Sequence, residues 1–195
     1  MVPLNVPNVL TVVRILLVPV LVVALLDKTT GGDVLAAIVF AIASVTDAID
    51  GYLARSRNWV TTFGKLMDPI ADKLLIVAAL IALVSLSRLE AWVAMVIISR
   101  EIAVTVLRAA AGAQGTVIAA NSLGKLKTAM QVAMVMVLIA VGGSPLPVKL
   151  LVYTTVVVTV LSGLDYFFGL RHEERPAGVG AAASPDAPRR AGGRD

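Results

Sequence analysis

The chain has no cysteine. That excludes disulfides, thiolate metal centres and thiol catalysis. It has one histidine, His172, in a tail rich in charge, glycine and proline. A metal bound to this protein would therefore be held by oxygens. Charged residues make up only 15% of the 195 residues, where a soluble domain carries roughly 25%. Aromatic residues are 5% of the chain, and no surface interleaves basic with aromatic residues, so nucleic acid is not expected as a partner. No basic segment precedes the first apolar run, and no small-residue cleavage site precedes Asp27-Lys28, so that run does not read as a cleavable signal. No internal repeat is present.

What the chain has instead is apolar sequence in long runs. It is 58% hydrophobic, with a mean hydropathy of +0.89. Single apolar runs of about 17–25 residues are what a bilayer-spanning helix requires, so the expected fold is all-α and polytopic rather than a soluble domain with a greasy core. Six spans are expected, over residues 9–26, 34–55, 64–86, 90–111, 125–141 and 148–170. Asn8 stands where a helix N-cap would stand. Residues 1–170 form the membrane domain. The tail, 171–195, has the Pro, Gly, Ala and charge content of a disordered segment.

The net charge of +4 reads as topology and anionic ligands. One side of the membrane holds the N-terminus, Arg55, Arg57, Lys65, Lys125, Lys127 and the arginines of the tail. The other holds Lys28, Arg88 and Lys149. The positive-inside rule places the first set in the cytoplasm, with both termini there. Trp59 and Trp92 fit interfacial belts. Met130, Met134 and Met136 read as packing or lipid-facing residues.

Against this background one block stands out: DAIDGYLARSRNWVTTFGKLMDPIAD, residues 47–72. Ionisable residues in membrane-spanning sequence are costly and point to function. Asp47 and Asp50 lie about 60° apart on one helix, and Asp68 and Asp72 about 40° apart on the next. The helices run antiparallel across a short connection, so both pairs reach the same membrane face. Helical bundles hold two metal ions with carboxylate pairs of this kind. Two divalent ions can stabilise both the entering and the leaving oxygen of a phosphoryl displacement. Gly51 and Ala54 share the stripe of Asp47 and leave a groove where a ligand can approach the backbone, with Arg55 at its mouth suited to phosphate. Three other readings compete: helix packing for the small residues, ion pairing of the acids with Arg55, Arg57, Lys65 and Lys73, and a cation path in a transporter. Packing is the commoner use of Gly and Ala alone, and scattered bases make a poor ion-pair network. A transporter leaves Gly51, Ala54 and Gly64 without a role. A silent scaffold gains nothing from acids within a span.

The block matches D-x2-D-G-x2-A-R-x8-G-x3-D-x3-D at each of its eight specified positions: Asp47, Asp50, Gly51, Ala54, Arg55, Gly64, Asp68 and Asp72. It resembles the signature of the CDP-alcohol phosphotransferase family of membrane phospholipid synthases. The opening NVPNVLTVVR, the DPIADK continuation, the SRE at 99–101 and the GKLKTAMQ at 124–131 resemble its phosphatidylglycerophosphate-forming branch. The likeness covers residues 5–168.

The resemblance implies six helices around an active-site cavity open to the cytoplasm, in a multi-pass protein of the cytoplasmic membrane. It implies two ions of Mg2+ or Mn2+ held by Asp47, Asp50, Asp68 and Asp72, with Asp72 also the catalytic base. It implies CDP-diacylglycerol as donor, drawn from the membrane lipids, in a site made by Asn8, Val9, Leu10, Thr11, Gly51, Ala54, Arg55, Thr61 and Gly64. A homodimer is expected on the same ground. The acceptor is read by other charges. Arg100, Arg108, Lys125 and Lys127 form a basic cluster that suits a phosphorylated alcohol, and Arg100 is costly within its span without an anion. Its neighbour Glu101 points about 100° away and is not an obvious mate. Positive-inside topology alone could account for Lys125 and Lys127. Glycerol 3-phosphate is the expected acceptor; inositol phosphate and phosphatidylglycerol are the alternatives. Asp165 has no assigned part.

Overall fold

The computed structural model describes residues 6–27, 31–57, 62–113, 122–143 and 145–173, with side chains over 9–27, 31–47, 70–113, 124–143 and 145–165. Six helices account for nearly all of it: α1 (Val6–Leu26), α2 (Gly32–Arg57), α3 (Thr62–Ser85), α4 (Ala91–Ala113), α5 (Ser122–Val141) and α6 (Leu146–Glu173). No strand occurs among the described residues.

A helix lies on each of the six expected segments, with shifted ends. α1 begins at Val6, so Asn8 lies inside its first turn and is not the N-cap. Pro7 is tolerated there because the first N–H groups of a helix have no intrahelical partner. α6 continues to Glu173, past the boundary drawn at 170; the rest of the tail lies outside the described residues.

Each helix divides into two faces. On α2, Ala36, Phe40 and Ala43 are fully buried, whereas Val34, Ile38, Ile42 and Val45 are more than half exposed. Those sets follow the 3.6-residue period on opposite sides of the helix. The same inversion appears on α1, where Leu21 is buried and Leu16 and Val23 are exposed, and on α4, where Ile97 is buried and Met95, Ile102 and Val106 are exposed. So much large apolar surface turned outward marks a surface meant for lipid rather than water. Small buried residues such as Ala36, Ala79 and Ala82 let the helices approach closely.

Among the described residues, three helices carry a stretch long and apolar enough to cross a bilayer: Val9–Leu26, Gly124–Val141 and Leu146–Asp165. In α2, α3 and α4 the apolar sequence is diluted by the very charges that form the candidate site. α1 packs against both α2 and α3; α2 then meets α5, α5 meets α6, α6 meets α4, and α4 returns to α3. Among the described residues, α2 and α3, though consecutive, touch only slightly. The first helix thus underlies the two that carry the acids.

A clasp closes the bundle at the end away from the acidic block. Arg88, in the turn after α3, donates from both terminal nitrogens to Asp33 at 2.8 Å each, and from Nη1 to the Ile139 carbonyl at 3.3 Å. Asp33 occupies the first turn of α2, where a carboxylate complements the helix dipole. The Ile139 carbonyl belongs to the last turn of α5, where carbonyls lack intrahelical donors. Gly142 ends α5 at φ 65°, a conformation that favours glycine. At the same end Trp92 stacks on Tyr153 (centroids 6.1 Å apart, planes 17° apart) and donates its indole N–H to Glu90. This is where an interfacial aromatic is expected.

Candidate active site

The site is built from the inner faces of all six helices. α1 contributes Arg14 and, one turn earlier, Thr11; both side chains are buried. Arg14 Nη1 lies 2.7 Å from Oδ1 of Asp47 on α2. α3 contributes Asp72, half-buried, and Lys73. The charges of Lys73, Glu101, Arg14 and Lys127 all act on Asp72. Arg14 pairs with the acid of α2 from a helix that packs on both α2 and α3.

A second cluster lies beside the first. Glu101, buried on α4, accepts from Lys73 of α3 at 3.1 Å and from Lys127 of α5. Arg100 reaches Glu101 at 3.4 Å and donates from Nη2 to Ser162 Oγ on α6 at 2.7 Å. Arg100 can lie across α6 because residue 163 is glycine: a Cβ there would sit 3.2 Å from Arg100 Cγ.

These contacts correct two expectations. The sequence suggests no partner for Asp47 outside its own block, yet Arg14 of α1 pairs with it; the side chains of Arg55, Arg57 and Lys65 lie outside the described residues. Helix geometry alone points Arg100 and Glu101 about 100° apart. They do meet, weakly, because a long arginine side chain can fold back along the helix surface. The stronger partners of Glu101 are the two lysines. Arg14, Lys73 and Glu101 were not among the candidate site residues. A charge inside each apolar run was the available signal, but nothing local says which distant partner each one meets.

The other candidates divide as follows. Of the donor set, Thr11 is buried, Leu10 is half-buried and Val9 is exposed. Asn8 lies on α1, Gly51, Ala54 and Arg55 on α2, and Gly64 on α3, as backbone; their side-chain surroundings, and those of Asp50 and Asp68, fall outside the described residues, as does Thr61 altogether. Of the acceptor set, Arg100 and Lys127 are brought together, whereas Arg108 and Lys125 are exposed. Met134 is fully buried and packs in the core.

The donor atoms suit a hard divalent cation. Carboxylate oxygens are available without thiolate or imidazole, which favours magnesium or manganese over softer metals. The Arg14 pair engages Oδ1 of Asp47, and a carboxylate has a second oxygen for further ligation. The arrangement can thus gather a polyanionic ligand between acidic helices that would carry metal and a neighbouring set of cations, of which Lys127 is buried.

Comparison with known proteins agrees. The CDP-alcohol phosphatidyltransferase family profile matches residues 4–161. A Bacillus subtilis (strain 168) protein named CDP-diacylglycerol–glycerol-3-phosphate 3-phosphatidyltransferase is 43% identical over 183 residues, covering 84% of this chain and 93% of that one. A Mycobacterium tuberculosis (strain H37Rv) protein named probable phosphatidylglycerophosphate synthase is 41% identical over 167 residues, covering 83% and 79%. A Rickettsia felis protein bearing the same name as the Bacillus one is 34% identical over 169 residues, covering 84% and 93%. With the profile spanning most of the chain and the signature lying on the two helices that Arg14 underlies, this protein belongs to the CDP-alcohol phosphatidyltransferase family.

Proposed function

We propose that the chain transfers the phosphatidyl group of CDP-diacylglycerol to sn-glycerol 3-phosphate, forming phosphatidylglycerophosphate and CMP. The observation that carries this reading is the complete eight-position signature on α2 and α3, in a chain 43% identical to a relative named for this reaction. The enzyme works as a six-span protein of the cytoplasmic membrane, with both termini and the open side of its cavity in the cytoplasm, and it assembles as a homodimer. The outward apolar faces of the helices and the excess of Lys and Arg at the site end support that placement.

Asp47, Asp50, Asp68 and Asp72 would hold two Mg2+ or Mn2+ ions, which when bound spread the charge of the donor pyrophosphate. The nucleotide lies along the groove left by Gly51, Ala54 and Gly64, flanked by Asn8 to Thr11, Arg55 and Thr61. Asp72 accepts the proton of the acceptor hydroxyl. The hydroxyl oxygen bonds to the phosphorus next to diacylglycerol, and the bond from that phosphorus to CMP breaks. Arg100 and Lys127, with Arg108 and Lys125 at the rim, draw the acceptor phosphate and set its hydroxyl near Asp72. The burial of Lys127, with the Arg100 side chain 11% exposed beside it, supports a phosphorylated alcohol, because cations withdrawn from water favour an anion.

The test is a labelled acceptor panel with purified protein, CDP-diacylglycerol and Mg2+. Product and CMP should form with glycerol 3-phosphate, and EDTA should abolish both. Product from inositol phosphate or phosphatidylglycerol alone would replace the acceptor. Ion flux without any CMP release would replace the reaction itself.

A further inference from the structure

Glu101 belongs neither to the acidic signature nor to the basic cluster, yet it is where four helices meet electrically. Lys73 comes from α3, Lys127 from α5, and Arg100 from α4 itself, with its far end on Ser162 of α6. The carboxylate is 8% exposed and Lys127 5%. One acid matched to one base would be an ordinary buried pair. Here one buried acid holds three bases, with Lys127 buried, Arg100 11% exposed and Lys73 28% exposed, a concentration of cations beside which a further anion is stabilised. A phosphate monoester, at about −1.5 to −2 near neutral pH, is the right kind of anion.

We infer that Glu101 is a positioning residue of the acceptor site, holding Lys127 and Arg100 in place for the phosphate of the incoming alcohol. The inference rests on the proposed reaction. Glu101 acts through its partners, because its own charge repels phosphate. It orients them without exhausting them: an ammonium has three N–H donors and a guanidinium five. By engaging Lys73 it also ties the acceptor cluster to the residue beside Asp72. Without the carboxylate, the three clustered cations repel one another and lose their shared anchor.

The experiment compares wild type, Glu101→Gln and Glu101→Asp in detergent, varying acceptor at saturating donor and donor at saturating acceptor. Glu101→Gln should raise the acceptor KM by about tenfold or more and leave the CDP-diacylglycerol KM within about twofold. Glu101→Asp keeps the charge on a shorter arm and should fall between. In the absence of turnover, glycerol 3-phosphate should raise the thermal midpoint of the wild type but not of Glu101→Gln, while CMP with Mg2+ raises both. Equal changes in both KM values, or an unchanged acceptor KM, would overturn the positioning role while leaving the reaction standing. If Glu101→Gln does not fold, Glu101→Asp decides alone: an acceptor KM equal to wild type overturns the role. If the wild type uses a different phosphorylated alcohol, the proposed acceptor falls and Glu101 is judged by the same shift on that alcohol. If it uses only an unphosphorylated alcohol, both fall.

Discussion

Arg14 Nη1 sits 2.7 Å from Asp47 Oδ1, with the arginine side chain 1% exposed and the aspartate 39%. The first helix of the chain thereby places a buried cation under the first acid of the signature. A buried arginine is tolerated only when paired, and its planar fork can hold a carboxylate in one orientation. Arg14→Met removes that hold but leaves Asp47 in reach of water, so the loss is moderate, about 1–3 kcal/mol. Arg14→Lys keeps charge without the fork and should lie between. Thermal midpoints in detergent should rank wild type, then Arg14→Lys, then Arg14→Met, and turnover should rank the same way. Three equal midpoints would remove the structural weight given to this pair.

Asp72→Asn tests the base. The substitution preserves shape and can still accept a hydrogen bond, but it cannot take a proton. Turnover should fall by about 10²–10⁴-fold, as expected for a lost general base, and further if ligation also weakens. Binding of CDP-diacylglycerol, followed by its protection against thermal unfolding, should persist. Wild-type turnover in this variant would return the role to another carboxylate of the block.

Gly163 can be probed by size. The site of its absent Cβ is 3.2 Å from Arg100 Cγ. Alanine there demands a small shift and gains about 1 kcal/mol of helix propensity; valine adds two methyl groups in the path of Arg100. Gly163→Val should therefore raise the glycerol 3-phosphate KM by about tenfold or more, about as much as one charge-assisted hydrogen bond such as Arg100 to Ser162 is worth. Gly163→Ala should change it much less. Steady-state kinetics on the two variants distinguishes this from a general packing defect, which would move donor KM as well.

Arg88 supplies the contrast. Its bidentate pair with Asp33 and its bond to the Ile139 carbonyl tie α2, α3 and α5 at the end away from the acids. Arg88→Ala should lower stability by about 1–2 kcal/mol and leave both KM values unchanged. A double-mutant cycle with Asp33→Asn should show coupling between the two sites. A change in acceptor KM would mean that the clasp reaches the chemistry.

The chain's class, its six helices and its family were legible from the sequence because they rest on local properties. The length of an apolar run, the absence of cysteine and the fixed spacing from Asp47 to Asp72 need no knowledge of what lies across the bundle. Helix ends were less legible: the capping role expected for Asn8 failed because Pro7 sits comfortably inside a first turn, and α6 ran on to Glu173. What only the tertiary structure decided is which charges meet. Arg14 finds Asp47, Arg88 finds Asp33, and Glu101 gathers Lys73, Lys127 and Arg100. Each of these partnerships except that of Arg100 with Glu101 joins residues far apart in sequence, and none is marked by any periodicity. They are set by the order in which the helices pack, with α1 beneath α2 and α3 and α4 between α3 and α6. In a membrane interior a charge must find its partner within the protein, so packing order settles the electrostatics that the sequence leaves open.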